Sequence, residues 1–218
     1  MATIINIGES NSIFNHFIAE LRSTEIQQDR MRFRRNLERI GEIFAYEISK
    51  KLDYQPHDVT TPLGVATVNQ LIEQPLLATI LRAGLPLHQG LLNYFDRADS
   101  AFITAYRKYD KNEDFTIRVE YVSSPSIGGK ILVLSDPMLA TGASIVKTMK
   151  SLLASGMPKS LHIVSVLASS EGLDYIKRNL SLHNLTVWVG GIDDELTAQA
   201  YIVPGLGDAG DLAFGEKD

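Results

Sequence analysis

The chain has 218 residues and a formal charge of -5, from 21 Lys and Arg against 26 Asp and Glu. That length suits one domain, residues 1–218, and the acidic balance argues against broad electrostatic capture of nucleic acid or of an anionic membrane. The absence of cysteine excludes disulfides, thiolate metal sites and a cysteine nucleophile; with no basic-then-apolar leader in Met1-Ala-Thr-Ile-Ile-Asn6 and no apolar run of bilayer length, a cytoplasmic protein is expected.

Residues 1–52 read as helical, with Phe14, Phe17 and Leu21, then Phe33, Leu37, Ile40, Phe44 and Ile48 recurring three or four apart, and a break near Ser23-Thr24. From Asp53 to Gln70, β-branched residues flank a Pro-Leu-Gly turn, which predicts a hairpin. Strands then alternate with helices: strands at Leu76–Leu81, Asp99–Tyr106, Lys130–Ser135, Ser160–Ala168 and Leu185–Val189, helices near Pro86–Phe95, Gly142–Ser155 and Glu171–Asn179. That alternation predicts an α/β fold, a doubly wound and mainly parallel sheet with flanking helices. Residues 107–129 interrupt it, polar at first and strand-like at Phe115–Val122, as a mobile β-arm would be. Beyond residue 190 the chain turns Gly- and Asp-rich.

Three stretches carry chemistry. The first runs from the apolar strand Ile131–Leu134 through Asp136 into Thr141-Gly-Ala-Ser144 and a helix with Ile145, Val146, Met149, Leu152 and Leu153 on one face. A helix start with unpartnered N–H groups, two hydroxyls and the positive end of a dipole binds phosphate, and a carboxylate just past a parallel strand faces the ligand crevice of an open sheet. Neither the P-loop nor the dinucleotide fingerprint is present, and on this stretch alone an ordinary capped loop remains open. The second is Thr79-Ile-Leu-Arg82-Ala-Gly, another strand turning into a helix, with Arg107 ending the next strand. A guanidinium at a sheet edge suits a phosphate or diphosphate, or equally a carboxylate partner. The third is Tyr201-Ile-Val-Pro-Gly-Leu-Gly-Asp208-Ala-Gly-Asp211, whose glycines let backbone approach a flat ring.

Together these stretches resemble the uracil phosphoribosyltransferases, over most of the chain and least at its N-terminus and in the arm; the tail is the most specific match. The resemblance implies a type I phosphoribosyltransferase fold with N-terminal helices, a β-arm and a C-terminal base-binding hood at 190–218. It implies transfer of the phosphoribosyl group of phosphoribosyl diphosphate (PRPP) to uracil, with Arg82, Arg107 and Asp136 as catalytic groups. PRPP is expected to meet Arg82, Arg107, Asp136, Pro137, Met138, Leu139, Ala140, Thr141, Gly142, Ala143, Ser144 and Asp208. Uracil is expected to meet Tyr201, Ile202, Gly207, Asp208 and Ala209. Magnesium is implied through PRPP and water, with no direct protein ligand, and a homodimer or larger homo-oligomer is implied as well. Two rival readings are a phosphoribosyltransferase for another base and a weakly catalytic paralogue that senses PRPP or uracil. The loop offers no obvious general base, since Pro137 and Ala140 occupy places where related purine enzymes often have acidic residues. Ala143 stands where the family usually has Gly, a strained substitution if the position needs positive φ.

Other features have plainer readings. Arg30, Arg32, Arg34, Arg35 and Arg39 spread around a helix near Glu38 and Glu42, as a solvated face or subunit contact would. His16, His57, His88, His162 and His183 lack metal-ligand spacing, Trp188 reads as core or interface, and Asp193-Asp194-Glu195 reads as an acidic loop near a helix start.

Overall fold

A computed structural model describes residues 2–109 and 115–216, and their side chains apart from those at 106–109 and 115–118. In chain order it contains β1 (Thr3–Asn6), α1 (Ile13–Arg22), α2 (Arg30–Ser49), β2 (Tyr54–Thr61), β3 (Gly64–Leu71), β4 (Leu76–Leu81), α3 (Gly84–Tyr94), β5 (Asp99–Tyr109) and β6 (Phe115–Ser123). There follow β7 (Ile131–Ser135), β8 (Met138–Leu139), α4 (Ala143–Leu152), β9 (Ser160–Ser165), β10 (Leu167–Ser169), α5 (Ser170–Asn179), β11 (Leu185–Val189), β12 (Ile192–Asp193), β13 (Glu195–Leu196), β14 (Ile202–Val203) and α6 (Ala209–Phe214).

The main sheet has seven strands in the order β1-β11-β9-β7-β4-β5-β6, parallel throughout except for the antiparallel β5–β6 pair. Successive side chains of a strand face opposite sides, so the apolar runs feed two cores. Leu76, Ala78, Leu132 and Leu134 join Ile145, Met149, Leu173 and Ile176 under α4 and α5. Leu77 and Val133 join Phe14, Phe33, Leu37, Phe44, Leu87 and Leu91 under α1, α2 and α3. Helices therefore cover both faces, as the alternating pattern predicts. On α2 the stripe Phe33, Leu37, Ile40, Phe44 and Ile48 is at most 1% exposed, each such side chain contributing about 1.5–3 kcal/mol on burial.

Ser12 caps α1 through a reciprocal pair with Asn15, and Asp29 caps α2 by accepting from the N–H groups of Met31 and Arg32, which accounts for the break after Arg22. The hairpin read at Asp53–Gln70 is the β2–β3 pair, with Tyr54 opposite Leu71 and Thr61 opposite Gly64. The arm is built on β5 and β6, and residues 110–114 of it lie outside the described residues.

Two features depart from the sequence reading. The N-terminus adds a strand, β1, at the edge of the sheet. The single strand expected over Ser160–Ala168 is β9 and β10, broken at Val166. The same break recurs in the neighbours: β7 stops at Ser135, β11 at Val189, and the chain resumes as a small parallel sheet β12-β10-β8. The Pro137 carbonyl accepts from the N–H groups of both Val166 and Leu167, and the Gly190 N–H reaches the Ser165 and Val166 carbonyls. Asp136 sits in this step, at the carboxyl edge of the main sheet.

Candidate active site at the carboxyl edge of the sheet

The step between β7 and β8 hands the chain to the turn Ala140-Thr-Gly-Ala-Ser144. Gly142 takes φ 74°, and a Cβ there would come within 2.9 Å of the Gly172 carbonyl. Only glycine suits both the left-handed backbone and that approach. Ser169 braces the turn from below, donating to the Ala140 carbonyl at 2.5 Å while accepting from the Gly172 N–H at 2.8 Å. Helix α4 then starts without a side-chain cap; the Ala143 N–H makes only a long 3.4 Å contact with Thr141 Oγ1. Its first N–H groups are thus held ready for an anion. Asp136, Met138, Ala140, Thr141, Gly142 and Ser144 line a recess of about 30 Å³ at this point. Pro137 and Leu139 are buried and support the turn from within, Leu139 as part of the core under α4. Ala143 is the first residue of α4, and the positive φ falls on Gly142 instead, so the feared strain at Ala143 does not arise.

A second cleft, of about 130 Å³, adjoins the first and shares Asp136, Met138 and Ala140 with it. Its remaining walls are Ala83 from the turn after β4, Ala200, Tyr201 and Ile202, and the run Gly207-Asp208-Ala209-Gly210. All five tail residues expected to meet the base therefore line one cavity. The hood is a folded unit: β13 and β14 pair antiparallel, and Ile202, Leu206, Ala209 and Ala213 are buried in the core shared with α1 and α2. Asp208 caps α6, with Oδ1 accepting from the Gly210 N–H at 2.8 Å and the Asp211 N–H at 3.0 Å.

Arg82 follows β4 and turns toward the hood, where Nη2 donates to Asp211 Oδ1 at 2.9 Å and to the Gly215 carbonyl at 3.1 Å. Of the two readings of this residue, the carboxylate partner is the one present, as Asp211. Nη2 has two hydrogens and both are engaged, whereas Nε is buried without a hydrogen-bond partner. Arg107 lies on β5, next to β4 in the sheet, and its side chain is outside the described residues.

Sequence reasoning missed what holds the hood in place. Asp193, in the acidic run, takes both terminal nitrogens of Arg22 at 2.8 and 2.9 Å and also the Gly205 N–H at 3.0 Å, while Arg22 donates to the Gly205 carbonyl at 2.8 Å. The pair spans 171 residues of sequence, so no local pattern announces it. Gly205 itself has φ 56°, and a Cβ there would stand 2.0 Å from the Ile202 carbonyl. Two arginines of α2 tie the helix to its neighbours, Arg32 pairing with Glu20 of α1 and Arg34 donating to the Ala213 carbonyl of α6 at 2.7 Å, while Arg35 pairs with Glu38 on α2 itself. Two histidines are internal; burial pushes His88 and His162 down to about 4, and His162 Nδ1 accepts from the Trp188 indole at 3.1 Å.

An open, doubly wound sheet carrying an uncapped helix start and an adjoining cleft on its carboxyl edge is the frame of a phosphoribosyltransferase. The AQ2163 protein of Aquifex aeolicus, at 29% identity, superposes with a TM-score of 0.85 over 98% of each chain. Residues 9–216 match the family model for uracil phosphoribosyltransferase. A uracil phosphoribosyltransferase of Porphyromonas gingivalis is 53% identical over 214 residues, covering 98% of this chain and 99% of its own. That of Sulfolobus acidocaldarius is 38% identical over 215 residues, covering 94% and 97%. The chain belongs to the uracil phosphoribosyltransferase family.

Proposed function

We infer that the protein transfers the phosphoribosyl group of PRPP to uracil, forming uridine monophosphate and diphosphate, as a cytoplasmic step of pyrimidine salvage. The observation that carries this reading is the shared wall: Asp136, Met138 and Ala140 belong at once to the anion-binding recess and to the hood cleft. In this reading Thr141, Gly142, Ala143 and Ser144 hold the 5′-phosphate, Asp136 meets the ribose hydroxyls, and Ile202, Gly207 and Ala209 read uracil through backbone groups. Arg82, through its remaining N–H groups, and Arg107 hold the diphosphate. Displacement at the anomeric carbon builds positive charge on the sugar and negative charge on the leaving group, so catalysis rests on placing the uracil nitrogen and neutralising diphosphate. No side chain at the cleft is assigned as a general base.

Among the described residues no group of three or more His, Cys, Asp or Glu forms a metal cage. The carboxylates of Asp136 and Asp208 at the cleft suit a magnesium ion held chiefly by substrate phosphates and water, with Asp208 acting through a bound water. Bound magnesium would supply charge neutralisation at the diphosphate. The arm on β5 and β6 would cover the cleft during turnover, and shortening it should raise PRPP hydrolysis relative to transfer; an unchanged ratio would remove that role. The protein would act as a homodimer or larger assembly. The decisive assay is magnesium-dependent diphosphate release from PRPP with each free base in turn. Uracil alone should support it; release with hypoxanthine but not uracil, or with no base at all, overturns the assignment.

A further inference from the structure

Among the described residues two other than glycine have positive φ, Asn184 at 58° and Ala200 at 60°. Asn tolerates the left-handed region through its own polar contacts, but an alanine there brings Cβ against the following carbonyl. Ala200 is buried and lines the hood cleft beside Tyr201 and Ile202. Its backbone is fixed by a tight turn: the Ala200 N–H donates to the Thr197 carbonyl at 2.8 Å, the Thr197 N–H to the Tyr201 carbonyl at 2.8 Å, and the Tyr201 N–H to Thr197 Oγ1 at 3.1 Å. Every one of these bonds uses backbone or the Thr197 hydroxyl. The turn would form as well with glycine, without strain, and gives the methyl group of Ala200 no part to play.

Ala200 instead belongs to the wall of a small cleft, about 130 Å³, whose lining also includes the short residues Ala83, Gly207, Ala209 and Gly210. We propose that Ala200 is a specificity-determining residue whose methyl group narrows the base cleft and excludes pyrimidines bearing an extra ring substituent. This rests on the reading of the hood as the base site. A single methyl group in a close-fitting pocket discriminates between substrates by about 10- to 200-fold, which is the scale expected here.

The test compares the unaltered protein with Ala200→Gly in transfer from PRPP to uracil, 5-methyluracil and 6-methyluracil. The glycine variant should raise kcat/KM for at least one methylated base relative to uracil by about tenfold or more. Its thermal midpoint should not fall, because glycine adopts φ 60° freely. Ala200→Ser, which adds one atom to the same wall, should raise the KM for uracil and provides a second reading should the glycine variant fold poorly. If uracil transfer stays intact while neither methylated base gains on it, only the backbone of Ala200 faces the base and the proposal fails. If the unaltered protein does not transfer to uracil, the base-site reading beneath it fails as well.

Discussion

Arg82 is the side chain on which the hood and the diphosphate reading converge. Its contact with Asp211 and Gly215 anchors the guanidinium through Nη2 at the hood, and Nε is buried without a hydrogen-bond partner. Arg82→Ala removes charge stabilisation of the leaving group, and kcat should fall by about 10²- to 10³-fold with a smaller change in the KM for uracil. Steady-state kinetics with PRPP and uracil varied separately would check this; a pure KM effect on uracil would show that Arg82 serves the base cleft instead. Asp211→Asn keeps the side chain's shape and weakens the anchor, so the KM for PRPP should rise more than that for uracil. Ala143 stands where strain is expected if the position needs positive φ, and its place as the first residue of α4 changes the expectation. Ala143→Gly should leave kcat/KM within about twofold, and should lower the thermal midpoint by about 2–4 °C through loss of helix propensity near a helix start. A large loss of activity would mean that the methyl group itself positions the phosphate.

At the scale of elements, the buried strands and the turn after β7 were legible because each announces itself locally, by a continuous apolar run or by small residues at a strand end. Strand β1 was not, since four residues at an edge, with Ile4 and Ile5 next to a helical pattern, pair only with β11 and carry no alternation of their own. The broken strands were hidden for a related reason: Ser160–Ala168 is mostly apolar, with Ser160, His162 and Ser165 its polar residues, and the break at Val166 comes from bonds to the distant Pro137 and Gly190. The hood was legible as a Gly- and Asp-rich segment set apart from the alternating strands and helices, but not its fastening by Arg22 and Asp193. The same limit applies to His162, which in sequence is one polar residue in a strand. Within β9 it is buried and pushed from 6.5 down to about 4, so between those values the unfolded chain binds a proton that the folded chain refuses. Stability from this group is complete above its ordinary value and is lost as pH falls toward about 4. His88, held by Ser100 at 3.1 Å and also pushed down to about 4, acts in the same direction. Urea midpoints should therefore drop between about pH 7 and about pH 5, as the unfolding free energy falls by about 2 kcal/mol for each histidine at most. His162→Gln, which can still accept from Trp188, should flatten the slope; an unchanged slope would place the pH dependence elsewhere.

At the scale of the whole molecule, one element is left without a core. The β2–β3 hairpin is exposed on both faces apart from Val59 and Leu71, and a two-stranded hairpin alone is marginal in water. Tyr54, Leu63, Val65 and Val68 are all exposed on it, and Leu63 at its tip is fully so. The register gives the hairpin an inner logic of its own, with Thr67 opposite Asp58 and its hydroxyl donating to that carboxylate at 2.7 Å. That bond and the two made by the Thr61 hydroxyl at the turn do little against the entropy of ordering an eight-residue strand on each side. A second copy of the chain would cover these apolar groups, and a shared hairpin would make folding of the hairpin and assembly one event. The protein should then sediment as a dimer or larger species. Replacing Leu63, Val65 and Val68 together by Ser should shift it toward monomer by analytical ultracentrifugation, with the secondary-structure signal of the main sheet retained. If the unaltered protein runs as a monomer and the hairpin amides are nevertheless protected from hydrogen exchange, its order comes from within the chain and the assembly reading falls. Protection that instead weakens on dilution, in step with the loss of dimer, would tie the hairpin's order directly to the second copy.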